Sequence, residues 1–207
     1  MLKRAVRTVI PPRLLAYTRS WRINRWPDRV ILRSILLPAF SHHHPQLWIG
    51  CQRYTKSYYG ELEQRGAICW TLDIDPDAAR WGRRGSHVVG DLLKVDGLFA
   101  PRYFDAILCN GVFGFGINEL ADQQLAVRAM RGVIKPHGIL LLGWDTDRIG
   151  DPVESGLLEP HFEHSGLPGI EARIEFETCT HVYDVFHARD DQQLKSSTLR
   201  SASAPSA

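Results

Sequence analysis

The chain has 207 residues, of which 44% are hydrophobic and 23% charged, and this size and balance predict one globular domain with a continuous apolar core. Its four cysteines form no C-x-x-C pair, which argues against a zinc or dithiol redox site and favours reduced core residues in a cytoplasmic protein. These cysteines are Cys51, Cys69, Cys109 and Cys179.

Basic residues are concentrated at the start of the chain. Residues 1–33 hold nine of the 25 Lys and Arg residues but one of the 23 acidic residues, so this segment carries a net charge of +8 and the remainder −6. Pro11, Pro12 and Arg13 interrupt its first apolar run, so we expect no secretory signal. The apolar run at 30–40 is shorter than the ~20 residues that a membrane span needs.

We therefore predict that residues 1–45 form a basic helical extension of the domain. Through residues 1–33 it can contact an anionic membrane surface or pack over the mouth of a site, and the plain alternative is a solvated helix that braces the domain. Nucleic acid is not expected as a partner, because the acidic remainder of the chain would repel a phosphate backbone.

Short apolar runs alternate with helix-like segments over the next part of the chain. Such runs are typical of strands buried on both faces, and the alternation predicts right-handed βαβ units. The predicted fold is α/β, a Rossmann-like, doubly wound and mostly parallel sheet spanning residues 46–189. Its predicted strands are 47–49, 68–72, 87–89, 106–109 and 139–142, and its predicted helices are 55–65, 76–84, 92–100 and 119–134.

The pattern changes after residue 151. A helix is predicted around 153–165, and two alternating runs at 170–178 and 181–187 predict an antiparallel hairpin at the sheet edge. The Ser-rich and Ala-rich segment 190–207 offers nothing to bury and is predicted to be a disordered tail.

Acidic residues follow two of the predicted strands. Asp73 ends the second strand, where a carboxylate can accept hydrogen bonds from ribose hydroxyls, while Asp75 before Pro76 suits a helix N-cap. Asp91 follows the third strand and can accept from the amine of an adenine, with the Leu92 amide facing a ring nitrogen. The alternative for Asp91 is a surface turn acid after a glycine.

Five sequence runs in this order make the chain similar to class I S-adenosylmethionine-dependent methyltransferases of the type 11-like group, over about residues 45–145. The resemblance implies the methyltransferase fold and S-adenosylmethionine as cofactor, with Asp73 binding ribose, Asp91 binding adenine and Gly50 admitting the methionine part. It also places methyl transfer at the edge of the sheet where the fourth strand ends. Asn110 lies there, and we include it among the cofactor-binding residues. The runs are Leu47–Cys51, Leu72–Asp75, Gly90–Asp91, Phe104–Leu108 and Val133–Gly138.

The loop after the first strand departs from the family pattern, because Gln52–Thr55 replaces its further glycines. Since glycine allows backbone amides to approach a ligand closely, the departure implies either a reshaped loop or a lost pocket. Arg53 and Lys56 can hold the cofactor's carboxylate by charge instead, or they can belong to a solvated loop.

Few side chains are placed to act on an acceptor. Asp145, just past the fifth strand, is the best-placed candidate base, with Glu119 second and an ordinary loop acid as the alternative. Phe113 and Phe115 can form either a pocket wall or part of the core. His137 and Asp105 lie at the opposite ends of their strands and are assigned to structure. No metal is expected, because the adjacent histidines 42–44 point in different directions.

The sequence thus predicts a methyltransferase that methylates oxygen on a small molecule or glycoconjugate. The stretch Trp21–Pro27 and the overall size are similar to bacterial enzymes, rhizobial ones among them, that O-methylate a fucosyl group of nodulation lipo-oligosaccharides. The alternative is a methyltransferase-like binding module without catalysis. A dinucleotide enzyme is disfavoured, because no G-x-G-x-x-G follows the first strand.

Overall fold

A computed structural model describes residues 25–190 of the chain. Most of the predicted basic extension and nearly all of the predicted tail therefore lie outside the described residues. Among the described residues, no helix combines the length and apolarity needed to cross a membrane.

The described chain begins with three short helical segments that run into one another. Helix α1 (Pro27–Ile31) continues as a π-helical turn (Leu32–Leu36) and ends in helix α2 (Leu37–Phe40). Two longer helices follow, α3 (Lys56–Glu63) and α4 (Leu120–Val133), and they confirm the predictions at 55–65 and 119–134. The predicted helices at 76–84 and 92–100 are shorter 3₁₀ helices, Pro76–Arg80 and Leu92–Gly97.

Eight strands form one sheet in the order β3-β2-β1-β4-β5-β8-β6, with β7 also paired to β8. The pairs among β1 to β5 are parallel, and β8 is antiparallel to β5, β6 and β7. The predicted doubly wound sheet and its antiparallel hairpin are confirmed, with β8 lying between β5 and the β6 and β7 strands. The strands are β1 Gln46–Ile49, β2 Cys69–Asp73, β3 His87–Val89, β4 Phe104–Asn110, β5 Ile134–Asp145, β6 Phe162–His164, β7 Arg173–Ile174 and β8 His181–Ala188.

Both faces of the sheet are covered, which explains why its central strands are apolar throughout. Helix α4 and the Leu92–Gly97 turn pack on one face, and α1, α2 and α3 pack on the other. Leu140 and Leu142 of β5 belong to the first apolar cluster, while Ile139 and Leu141 belong to the second. Strand alternation sends successive side chains to opposite faces, so a continuous apolar run fills two cores.

The prediction of a helix around 153–165 is wrong, because this segment forms turns and a short strand. Residues 152–161 form consecutive turns, and the chain then enters β6. The Asp151 carboxylate accepts hydrogen bonds from the Val153 and Glu154 amides at 2.8 and 3.2 Å, and Gly156 follows with φ of +67°. Glycine at positive φ ends a helical segment, so the apolar spacing that resembles a helix is accommodated by turns instead.

Candidate active site

A cleft of about 940 Å³ opens along the carboxyl ends of the parallel strands. This is where ligands bind in open α/β sheets. The end of each of the first five strands contributes at least one residue to its lining, and we name one from each. These residues are Gly50, Asp73, Asp91, Gly111 and Asp145.

The Asp73 carboxylate is held in a fixed orientation at the end of β2. Its Oδ2 accepts a hydrogen bond from the Cys51 amide at 2.6 Å, and its Oδ1 accepts from the Asp75 amide at 2.9 Å. A carboxylate offers about four acceptor positions, so both oxygens can still accept from a diol. Asp75 accepts from the Asp77 amide at 2.9 Å and caps the first 3₁₀ helix, as the sequence predicts.

Asp91 and Leu92 line the cleft beside Asp73. Asp91 also caps the second 3₁₀ helix, because its Oδ1 accepts from the Leu93 amide at 2.9 Å. The cap orients the side chain and leaves its second oxygen for a ligand. Ile74 lines the same part of the cleft and is 69% exposed, which provides an apolar surface between the two acids.

The loop after β1 is reshaped and still forms part of the cleft wall. Gly50 has φ of +86°, and a Cβ there would lie 3.3 Å from Val112 Cγ2, so glycine is required at this position. Thr55 holds the loop in its conformation. Its Oγ1 accepts a hydrogen bond from the Gln52 amide at 3.0 Å and pairs with the Tyr59 hydroxyl at 2.8 Å.

The two cations proposed from the sequence are placed differently. Arg53 lines the cleft, with its guanidinium 5.8 Å from the centre of the Trp81 ring. The Lys56 ammonium donates to the Arg80 carbonyl at 3.3 Å, and Lys56 does not line the cleft. Arg53 is therefore the better placed of the two.

Asn110, the last residue of β4, lies just beneath the cleft, whose wall is formed by its neighbours Gly111 and Val112. Its Oδ1 is buried and has no hydrogen-bond partner among the described residues. The amide occupies the space over Gly143 of β5, where a side chain would overlap it.

Asp145 is paired with a histidine that the sequence analysis did not identify. Asp145 ends β5, His181 begins β8, and the two residues lie opposite each other in the antiparallel ladder. The distance between His181 Nδ1 and Asp145 Oδ1 is 2.5 Å. This hydrogen bond lowers the pKa of Asp145, although partial burial acts in the opposite direction. The alternation of side chains in the predicted strand at 181–187 was the available signal. The sequence does not show in which register that strand pairs with β5, so it does not place His181 beside Asp145.

Helix α1 closes one end of the cleft with Trp26, Asp28 and Arg29. The Arg29 guanidinium donates to the Tyr183 hydroxyl at 3.2 Å, lies 3.4 Å from the Asp28 carboxylate and stacks over the Tyr54 ring. Sequence analysis missed Arg29 and Asp28, because they lie in a basic segment whose contacts with the sheet no local pattern reveals.

Of the two candidate wall aromatics, only Phe115 lines the cleft. It is 52% exposed, and the Arg148 guanidinium lies 4.9 Å from its ring centre, whereas Phe113 is fully buried in the core. Glu119 precedes α4 and does not line the cleft. Asp105 pairs with Lys135 at 2.6 Å, which agrees with its structural assignment.

The prediction that all four cysteines belong to the core is wrong for Cys179. Cys51, Cys69 and Cys109 are buried, but Cys179 is partly exposed and lines the cleft next to the start of β8. The turn that joins β7 to β8 carries Cys179 to the cleft, away from the strand interior. Among the described residues, no group of three or more His, Cys, Asp or Glu side chains is arranged to hold a metal ion.

Comparison with known proteins places the chain in a class. Residues 47–142 match the family model described as a methyltransferase domain. The N-methyltransferase NodS from Bradyrhizobium japonicum WM9, in complex with S-adenosyl-L-homocysteine, is 16% identical with a TM-score of 0.59, and the match covers 86% of this chain and 98% of that one. A TehB-like SAM-dependent methyltransferase from Corynebacterium glutamicum ATCC 13032 is 18% identical with a TM-score of 0.59, covering 87% of this chain and 100% of that one. A search of curated proteins found no match.

The domain match identifies residues 47–142 as a methyltransferase domain, and the sheet order and the cleft at the strand ends agree with the fold of S-adenosylmethionine-dependent methyltransferases. Residues 47–142 belong to the methyltransferase domain family. The predicted family, fold, enzyme class and cofactor are therefore confirmed.

Proposed function

We propose that this protein methylates a hydroxyl oxygen on a small molecule or glycoconjugate. A fucosyl hydroxyl of a nodulation lipo-oligosaccharide is the specific acceptor suggested by the N-terminal sequence resemblance. The observation that carries the proposal is the Asp145 carboxylate, which is paired with His181 and lines the same cleft as Asp73 and Asp91.

The cofactor half of the proposed site fits the nucleoside. Asp73 offers its remaining lone pairs to the two ribose hydroxyls, and Asp91 offers its second oxygen to the adenine amine. Ile74 and Leu92 contribute apolar surface on which a flat base can rest, and both line the cleft. Gly50 leaves room for the chain that leads from the ribose towards β4.

Two arginines can neutralise the cofactor's carboxylate. Arg53 follows Gly50 on the reshaped loop, and Arg29 reaches the cleft from α1. Arg29 is 9% exposed and its guanidinium already pairs with Asp28 and Tyr183, so it would act on the cofactor's carboxylate mainly through its charge. A guanidinium is suited to a carboxylate because its donors match the two oxygens.

Asp73, Asp91 and Gly50 would hold S-adenosylmethionine, which when bound would supply an activated methyl group to the acceptor oxygen and leave as S-adenosylhomocysteine, with the electron pair of the broken bond kept by sulfur. Asp145 receives the hydroxyl proton. A carboxylate suffices as the base, because the hydroxyl becomes strongly acidic as its oxygen gains the methyl group. The remaining task of the cleft is to align the acceptor and exclude water, to which Trp26 and Phe115 contribute exposed aromatic surface.

A second candidate function, methylation of an amine, is favoured by the acidic character of the acceptor end. Asp28 and Asp145 both line this end, and Asp28 is 2% exposed with its Oδ1 lacking a partner among the described residues. Arg29 compensates part of the Asp28 charge, and the carboxylates that line a cleft attract a cationic acceptor through their field.

The experiment is incubation of the purified protein with S-adenosylmethionine labelled in its methyl group. The acceptors are a fucosylated lipo-oligosaccharide, its counterpart without fucose, and small-molecule alcohols and amines of matched shape. We expect label on oxygen and loss of transfer in Asp145→Asn, with S-adenosylhomocysteine binding retained. Label on nitrogen alone would establish the second function and overturn the first.

A further inference from the structure

The Asp145–His181 pair is fixed by main-chain structure on both sides. Asp145 and His181 are cross-strand partners at the end of the β5–β8 ladder, and the His181 ring lies edge-on to Tyr183 with 4.6 Å between the ring centres. Side chains held on paired strands have little freedom to rearrange. The pair is thus arranged before any ligand arrives, as a catalytic group must be.

Both residues line the cleft, and the carboxylate is the more accessible member of the pair. The Asp145 side chain is 19% exposed and the His181 side chain 8%. The second ring nitrogen of His181, Nε2, is buried and has no partner among the described residues. With Nδ1 bonded to Asp145 and Nε2 buried, neither ring nitrogen of His181 is available to an acceptor, so His181 acts on its chemistry through Asp145.

Gly143 leaves space for this arrangement because it has no side chain. His181 Nε2 lies 3.0 Å from the point where a Cβ on Gly143 would be, and the Asn110 amide approaches the same point. Both Nε2 and Asn110 Oδ1 lack partners among the described residues. The absence of a side chain at Gly143 therefore leaves space for both the His181 ring and the Asn110 amide at the end of the sheet.

We propose that His181 is a positioning residue for methyl transfer: its Nδ1–H fixes the Asp145 carboxylate so that the free oxygen faces the transferable methyl group. The inference rests on the proposed function, because it assigns Asp145 to the acceptor side of the cofactor. The titratable or charged groups around the Asp145 carboxylate are His181 from β8, Arg29 from α1 and Arg148 from the turn after β5.

Sinefungin tests the geometry without any acceptor, because a protonatable amine replaces the transferable methyl group in this cofactor analogue. If the Asp145 oxygen faces that position, the wild-type protein binds sinefungin more tightly than S-adenosylhomocysteine. A hydrogen bond between two charged groups corresponds to roughly tenfold or more in affinity, so we expect a preference of about that size. Calorimetric titration measures both affinities on the full chain.

The variants separate the roles of the two residues. We expect Asp145→Asn and His181→Phe to lower the preference for sinefungin by about threefold to tenfold while the affinity for S-adenosylhomocysteine is retained. His181→Asn keeps a donor near the position of Nδ1 and should restore most of the preference.

The matched control is His164→Phe. His164 lies on β6, and its Nε2 pairs with Oδ1 of Asp184, a different carboxylate on β8, at 3.0 Å. It should leave the preference unchanged even if stability falls.

The outcomes are distinguishable. A wild-type protein that binds S-adenosylhomocysteine without preferring sinefungin overturns the inference while leaving the enzyme class intact. Loss of the preference in Asp145→Asn but not in His181→Phe removes His181 from the site. A folded wild-type protein that binds neither ligand contradicts the proposed function itself.

Discussion

The Asn110 side chain occupies the space above Gly143 that any other residue at position 143 would fill. The two residues are paired across β4 and β5, and Gly143 is also opposite Tyr183 of β8. The absence of a side chain at this one position therefore lets three strands bring polar groups together at the end of an otherwise apolar sheet.

Gly143→Ala should disrupt the site through a steric overlap. The new methyl group would meet the Asn110 amide and the His181 ring, and overpacking of this kind costs about 1–3 kcal/mol of unfolding free energy. Chemical denaturation measures the loss. The control is Gly60→Ala in α3, where a Cβ would have no neighbour within 4 Å. We expect that variant to be neutral or stabilised by about 0.5–1 kcal/mol, and equal behaviour of the two variants would contradict the packing argument.

The sheet was predictable because its strands are buried on both faces. A run such as Ile139–Leu142 has no polar alternation, and only a doubly covered strand accommodates it. Asp73 was predictable for a related reason, since it ends such a run and so must lie at the carboxyl edge of the sheet. Asp91 was predictable from its place two residues after the short third strand, His87–Val89.

The acceptor end was not predictable to the same extent. His181 and Arg29 lie more than 150 residues apart in sequence and both contact Tyr183, but neither position carries a local signal. Their places depend on the register of β8 against β5 and on the docking of α1 on the sheet, which are long-range packing outcomes. The mistaken helix at 153–165 has the same origin, because the Asp151 carboxylate and Gly156 override an apolar spacing that fits a helix.

Asp73→Ala should weaken cofactor binding with little effect on the fold. Loss of hydrogen bonds from the ribose hydroxyls to a charged acceptor costs about 1.5–3 kcal/mol of binding free energy. Calorimetric titration with S-adenosylhomocysteine measures it. Asp105→Ala is the control, because Asp105 pairs with Lys135 away from the cleft and should affect stability alone. Equal affinity of wild type and Asp73→Ala would exclude Asp73 from the ribose site.

Cys179 should be the thiol that reacts in the folded protein. It is partly exposed at the cleft, whereas burial raises the pKa of Cys51 to about 11 and those of Cys69 and Cys109 to about 12. A buried thiol with a raised pKa is doubly protected, since the thiolate is the nucleophile. Brief treatment with N-ethylmaleimide followed by mass spectrometry should find a single modification, and Cys179→Ser should abolish it. Modification of a second thiol at the same rate would mean that the part of the sheet that holds it, near β1, β2 or β4, opens readily.

The acid stability of the protein should depend on the ion pair between Asp151 and Arg173. Nη1 and Nη2 of Arg173 donate to the two Asp151 oxygens at 2.5 and 2.8 Å, while Arg173 also bonds the buried Asp184. These bonds lower the pKa of Asp151 to about 2, against about 3.9 in an unfolded chain. Because the folded state has the lower pKa, Asp151 stabilises it above about pH 4, and this contribution disappears as the pH falls towards 2.

Arg173→Gln removes the cause of that shift and should flatten the dependence. We expect the wild-type free energy of unfolding to fall more steeply than that of the variant between about pH 4 and pH 2. Urea titrations at several pH values measure both curves. The variant should also be less stable at neutral pH, by up to about 3–5 kcal/mol, because the buried Asp184 loses its arginine and keeps only its contacts with His164 and Trp144. Asp151→Asn serves as the comparison, since it removes the titrating group and keeps Asp184 paired. If Asp151→Asn and wild type follow parallel curves below pH 4, the acid sensitivity arises elsewhere in the sheet.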